Sequence, residues 1–195
     1  MTSDQSGRRT RSLVELRELR YTHAWNVRGD PQRPAFLRQA QEALGWELPV
    51  HAGASNIGSK ECSLWLGPRS WLWLAERAAV PFDHARRTIN AAGGALFDIS
   101  SSQVAWSICG TSAGRVLNRL CPLDLDLRAF PAGRCAHSLL GHIAALVFRP
   151  GAQPCFVVMV ARSLARDAWH GLRTAAETDG YSTAEPVWLS GVLRP

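Results

Sequence analysis

Leu64-Trp65-Leu66-Gly67-Pro68-Arg69-Ser70-Trp71-Leu72-Trp73-Leu74 is the stretch on which the reading of this chain turns. Two short apolar runs flank a Gly-Pro-Arg-Ser break, which predicts a hairpin with a four-residue turn. Side chains alternate along a strand, so Leu64, Leu66, Leu72 and Leu74 share one face and Trp65, Trp71 and Trp73 the other. Both faces are apolar. Such a strand pair has to be covered twice, by its own chain or by a partner.

Working outward, Pro81 suits the first turn of a helix that carries Phe82, Ala85, Ile89 and Ala92 on one side and ends at Gly93-Gly94. Strands follow at Ala95–Ile99 and Val104–Cys109, separated by Ser100-Ser101-Ser102. Thr111 is placed to cap a helix whose apolar stripe is Ala113, Val116, Leu117 and Leu120, and Pro122 stops it. Beyond Pro131 and Gly133 come strand-like segments at Arg134–Leu140, His142–Phe148 and Cys155–Val160. Ser163 then caps a last helix with the stripe Leu164, Ala168, Trp169, Leu172 and Ala176. Upstream the signals thin out: a short apolar element at Leu13–Leu16, a helix over Ala35–Leu44 stopped by Gly45, and prolines 31, 34 and 49. Strand pairs alternating with single helices predict an α+β fold of ferredoxin-like strand-strand-helix units, antiparallel sheets with helices on one side. The expected organisation is a mobile basic tail over residues 1–12 and one α+β domain over 13–195, clearest over 62–172.

Composition narrows the function. The 195 residues are 46% hydrophobic and 19% charged, so the chain can bury about 70% of its surface in a single core. The longest apolar run, Cys155–Val160, is strand-sized and far short of the ~20 residues that span a bilayer, so no membrane segment is expected. No apolar stretch follows the N-terminal arginines, which argues against a secretory signal. Five cysteines, at 62, 109, 121, 135 and 155, stand singly and read as reduced thiols of a cytoplasmic protein. The net charge of +6 comes almost wholly from arginine, Lys60 being the single lysine. The arginines are scattered and are not interleaved with aromatics, so nucleic acid is a poor partner and an acidic protein a better one.

No residue pattern carries chemistry. Gly53–Lys60 is a near miss for a phosphate-binding loop, with Ser59 and Lys60 in the wrong order and no amphipathic helix behind them, so a flexible glycine loop is the better reading. Cys135, His137 and His142 lack a fourth ligand and share no single strand parity. Cys121 sits where a helix ends, which disfavours a thiolate. No Gly-x-Ser-x-Gly elbow accompanies the serines. Asp124 and Asp126, alternating with Leu123, Leu125 and Leu127, read as the wet side of a half-buried extended segment. Eight tryptophans are the strongest remaining signal, since tryptophan and arginine are enriched where proteins bind one another. The partner-interface candidates are therefore Trp65, Trp71, Trp73, Arg69, Arg128 and Arg134, with no catalytic, cofactor-binding or metal residue assigned.

A set of motifs carries further information. Phe97-Asp98-Ile99-Ser100, Gly110 opening a helix, Cys121-Pro122-Leu123-Asp124-Leu125, Ala129-Phe130-Pro131, Gly133, Cys135-Ala136 and Leu140-Gly141-His142 resemble the gamma subunit of heterotetrameric sarcosine oxidase. The Leu-Gly-Pro turn of the hairpin and Arg162-Ser163 beside Trp169 fit the same pattern, and the resemblance spans roughly 62–172. It implies a fold similar to folate-dependent aminomethyltransferase domains and a place in a complex that demethylates sarcosine to glycine. That complex forms hydrogen peroxide and releases formaldehyde or methylene-tetrahydrofolate. It further implies alpha, beta and delta partners that hold FAD, FMN, NAD, tetrahydrofolate and zinc, with no cofactor in this chain. The alternatives are a folate-binding module, the equivalent subunit of a complex oxidising another N-methyl amino acid, and a transferase using Cys121 or His137.

Overall fold

The computed structural model describes residues 13–193, and the tail expected over residues 1–12 lies outside them. Strands β4 (Glu61–Gly67) and β5 (Ser70–Ala75) form the expected hairpin, with Leu64 opposite Leu72 and Trp65 opposite Trp71. Its turn is tighter than expected: Gly67 pairs with Ser70, leaving Pro68 and Arg69 at the tip and a bulge between Trp65 and Gly67. Around the hairpin, β2 (His23–Arg28), β3 (Ser55–Ile57) and β6 (Ala95–Asp98) complete an antiparallel sheet in the order β3-β4-β5-β2-β6.

Both faces of that sheet are covered by the chain itself. Helix α1 (Pro34–Leu44) opens with proline in its first turn and closes on Gly45, whose φ of 67° supplies the left-handed cap. Its buried residues Phe36, Ala40, Ala43 and Leu44 fall at i, i+4, i+7 and i+8. With Ala85 and Ile89 of α2 (Phe82–Ala91) they pack on Trp25, Trp71 and Trp73. The opposite face, Leu64, Leu72 and Leu74, packs on Leu146, Phe148, Val157 and Met159 of a second sheet. Each leucine so buried is worth about 1.5–3 kcal/mol against leaving it in water.

The second sheet runs β11 (Tyr181–Thr183), β1 (Val14–Arg20), β7 (Gln103–Cys109), β10 (Cys155–Ala161), β9 (Ile143–Phe148), β8 (Cys135–Leu140), with β12 (Val187–Trp188) also on β1. It is mixed, because β11 and β12 lie parallel to β1 while its other pairs are antiparallel. Its outer face carries α3 (Ala113–Asn118) and α4 (Ala165–Glu177). The result is four layers, helices-sheet-sheet-helices, an α+β architecture with helices on one side of each sheet. The unbroken apolar run of β10 follows from this: Phe156, Val158 and Val160 face the helices, and Val157 and Met159 face the other sheet.

Several expectations are corrected. The strands at Ala95 and Val104 are not partners. β6 pairs with β2 and β7 with β1 and β10, and the turn at Ile99–Ser102 carries the chain from one sheet to the other. Thr111 and Ser163 cap nothing: α3 is preceded by Ser112 and α4 by a 3-10 turn over Arg162–Leu164, neither helix with a side-chain cap. Asp124 and Asp126 do not sit on an extended segment; their carboxylates accept the backbone N–H of Asp126 and Arg128 and fold the loop into consecutive turns. Cys109 and Cys155 are not lone thiols but a disulfide across the β7–β10 pair. The spacing of 46 residues hid a partnership that strand register creates. Gly110 is fixed by contact, since a Cβ there would lie 2.2 Å from the Leu13 carbonyl oxygen at a φ of +130°.

One ion-pair cluster ties α3 to the segment after α4. The Asp179 carboxylate, nearly buried, pairs with Arg115 and, at 2.5 Å, with Arg119, and Arg119 also donates to the Ala175 carbonyl. Burial alone would push the carboxyl up; the hydrogen bonds from Arg119 and Arg115 outweigh it and hold Asp179 below its ordinary value. A depressed carboxyl contributes stability above the unfolded carboxyl range and loses it as pH falls through the folded value. Asp179→Asn is therefore expected to remove part of the acid sensitivity below about pH 4, read as a flatter plot of melting temperature against pH. An unchanged plot would assign the acid loss elsewhere.

Candidate functional site

The tryptophan face of the hairpin is interior, which corrects two of the interface candidates. Trp71 and Trp73 are fully buried. The Trp71 indole N–H donates to the Pro49 carbonyl at 2.7 Å and its ring lies 5.9 Å from Phe36. Trp73 packs on Trp25 at 4.8 Å, and Trp25 meets Phe82 edge-on at 5.3 Å. Helices α1 and α2, each readable alone, combine to cover this face. Trp65 is half-buried at the end of the hairpin and touches both the inter-sheet core and the helix-side core.

The candidate arginines are all exposed, in different surroundings. Arg69, at the hairpin tip, lies 3.4 Å from Asp30. It borders an open groove of about 490 Å³ between the β2–α1 connection and the β4–β5 turn, together with Arg28, Asp30 and Arg33. Arg33 is 3.9 Å from the same carboxylate, and Arg28 donates to the Asn26 side-chain oxygen at 3.0 Å. Sequence reading missed Arg28, Asp30 and Arg33; the Arg28-Gly29-Asp30-Pro31 turn signal was the available pointer. Arg128 and Arg134 do not border this groove. Arg128 closes the turn at Asp126, and the Arg134 guanidinium lies over Gly53, where its Nε would be 3.2 Å from a Cβ.

Arg149 was also missed. It is 5% exposed and donates to four carbonyls: Leu127 at 3.0 Å, Phe130 at 3.1 Å, Ala152 at 2.5 Å and Gln153 at 3.4 Å. One guanidinium thus fastens the loop before β8 to the turn before β10. Its planar fork suits the task in a way that a lysine does not.

The other residues weighed for chemistry are occupied in the fold. Cys135 is buried, with its thiol directed to the carbonyls of Trp65 (3.3 Å) and Ala54 (3.4 Å), and burial pushes its pKa up to about 11. Cys62 is raised for the same reason. A thiol held protonated is neither nucleophile nor metal ligand at neutral pH. Cys121 is buried with its sulfur 3.4 Å from the Ser138 hydroxyl, while His137 and His142 are exposed. Among the described residues no group of three or more His, Cys, Asp or Glu side chains is gathered as a metal site would need. In the glycine loop, Ser55 donates to Gly133 and Asn56 to Glu47, so its polar groups serve neighbouring backbone and β3 starts inside it. An apolar opening of about 240 Å³ between the sheets has Gln103 and His137 as its polar lining residues. That is smaller than the ~300 Å³ at which sites for drug-sized ligands begin.

Comparison with known proteins gives this geometry a setting. The family model described as "Sarcosine oxidase, gamma subunit family" matches residues 28–178. The chain is 32% identical over 154 residues to the sarcosine oxidase subunit gamma of Corynebacterium sp. (strain P-1), covering 76% of this chain and 73% of that protein. It is 29% identical over 150 residues to the subunit of the same name from an Arthrobacter species, with the same coverage. Among solved structures it is similar to a chain of the heterotetrameric sarcosine oxidase from Corynebacterium sp. U-96 in complex with pyrrole 2-carboxylate, with a TM-score of 0.79, 27% identity, and 88% and 87% of the two chains covered. It also resembles the glycine cleavage system aminomethyltransferase T from Bartonella henselae, with a TM-score of 0.60 and 13% identity over 91% of this chain and 48% of that one. At that identity the likeness shows the fold alone.

Proposed function

The chain belongs to the sarcosine oxidase gamma subunit family, and on that premise we propose that it is a structural, non-catalytic subunit of a heterotetrameric, flavin-dependent sarcosine oxidase. The observation that carries the proposal is the superposition, over nearly the full length of both chains, on a chain of a solved heterotetrameric sarcosine oxidase. Its partners on this reading are the alpha, beta and delta subunits, which hold FAD, FMN, NAD, tetrahydrofolate and zinc. The reaction they perform converts sarcosine to glycine, with hydrogen peroxide and either formaldehyde or methylene-tetrahydrofolate as the other products. Support for a structural role comes from the side chains that could have done chemistry: Cys62 and Cys135 have raised pKa values in the core, and Arg149 and Arg119 hold backbone carbonyls. A cytoplasmic location belongs to the same proposal; the free thiols of Cys62, Cys121 and Cys135 support it and the Cys109–Cys155 disulfide weighs against it.

Co-expression with the three partner subunits tests it. The chain is expected to co-elute with a flavoprotein in stoichiometric amount, and the chain alone to form no peroxide from sarcosine. Turnover or flavin retention by the isolated chain would overturn the proposal, as would a chain that never joins the complex.

A further inference from the structure

The groove at the hairpin tip holds three guanidinium groups, Arg28, Arg33 and Arg69, and one carboxylate, Asp30, an excess of two positive charges (3 − 1 = 2). Asp30 cannot satisfy them. Its contacts with Arg69 (3.4 Å) and Arg33 (3.9 Å) are long beside the ~2.7–2.9 Å of a strong charge-assisted hydrogen bond. One of its oxygens also accepts the Gln32 backbone N–H. Elsewhere Arg119 pairs with Asp179, and Arg162 donates to the Ser101 and Gln103 carbonyls. Around the groove the side chains of Arg33 and Arg69 are 69% and 71% exposed.

The shape of the groove points the same way. Three glycines border it, and two have reasons inside the chain: a Cβ on Gly29 would strike the Phe36 ring at 2.2 Å, and Gly93 has a φ of +80°. Gly67 has neither reason. Its φ is ordinary and a Cβ there would meet nothing within 4 Å, so neither backbone strain nor a close contact calls for glycine at that position. A bare glycine at the lip of a basic groove leaves room for another backbone to lie close. Helix α1 also starts here, with no acidic residue in its first turn and no side-chain cap, so its positive end adds to the field.

We propose that this groove is the docking site for an acidic, extended segment of a partner subunit, its carboxylates seated in the forks of Arg28, Arg33 and Arg69 and its backbone passing over Gly67. This rests on the reading of the chain as a subunit of the oxidase complex. Charge complementarity selects the occupant: arginine forks match carboxylates in bidentate geometry, and uncompensated charge of one sign steers association with the other.

The test compares assembly of the wild-type complex with that of two variant complexes, R33Q/R69Q and Gly67→Leu, with the subunits titrated together at several salt concentrations. R33Q/R69Q is expected to weaken assembly at least roughly tenfold at low salt and to flatten its salt dependence. Gly67→Leu is expected to weaken assembly by a similar factor while leaving the salt dependence and the melting temperature of the free chain unchanged. Assembly of both variants with wild-type affinity overturns the groove and leaves the subunit reading intact; a wild-type chain that does not assemble removes both. If the free chain instead forms a dimer that R33Q/R69Q abolishes, the occupant is a second copy and the proposal fails.

Discussion

Replacing Arg149 with methionine is expected to destabilise the chain by about 3 kcal/mol, although the side chain lies in no candidate interface. Methionine retains most of the apolar stem but withdraws every donor from the carbonyls of Leu127, Phe130, Ala152 and Gln153. The Phe130 carbonyl, whose bond is buried, is left with desolvation uncompensated, while the more exposed ones recover water and temper the loss. Arg149→Lys keeps the charge as a point and cannot span the same acceptors, so it should restore part of the stability and not all of it. The urea midpoint reads the effect, and the slope should not change. A loss below about 1 kcal/mol for the methionine variant would mean that the loop before β8 does not depend on this arginine.

The second large effect separates the two ends of the tryptophan face. Trp71→Ala should cost about 4 kcal/mol, because it empties a buried site under α1 and strands the Pro49 carbonyl. Trp65→Ala should cost less than half as much, since that ring is half-buried and leaves room for water. Denaturant unfolding of the two variants, side by side, decides it. Equal losses would show that the hairpin end is as tightly enclosed as its middle.

Much of this fold is legible in the residues, and the failures have physical causes. Alternation identified both strands of the hairpin and the assignment of leucines and tryptophans to opposite faces. Gly45 marked the end of α1, and apolar spacing located α2, α3 and α4. Sheet membership was another matter. β6 and β7 follow each other closely and look like a hairpin, yet their hydrogen bonds go to β2 and to β1 and β10, choices set by layers that no local pattern records. The Cys109–Cys155 link escaped for the same reason. For the site, two of the three tryptophans taken as interface candidates were tied up in the core, because a two-sided apolar strand is as well satisfied by helices of its own chain as by a partner. Arg69 was found and its companions were not, since Arg28 and Arg33 reach it only through the turn that brings β2 beside β5. Arg149 gave no sign, because a charged residue next to Pro150-Gly151 reads as surface until its four acceptors are known.

The placement of β1 bears on how the molecule comes to be made. This strand lies between β7, some ninety positions further along, and β11 and β12, still more remote, with nothing adjacent in sequence to hold it in the sheet. Loops of that length close late, and pairings across them slow the search for the native arrangement. During synthesis the Val14–Arg20 segment therefore stays without neighbours while the whole of the hairpin sheet is produced behind it.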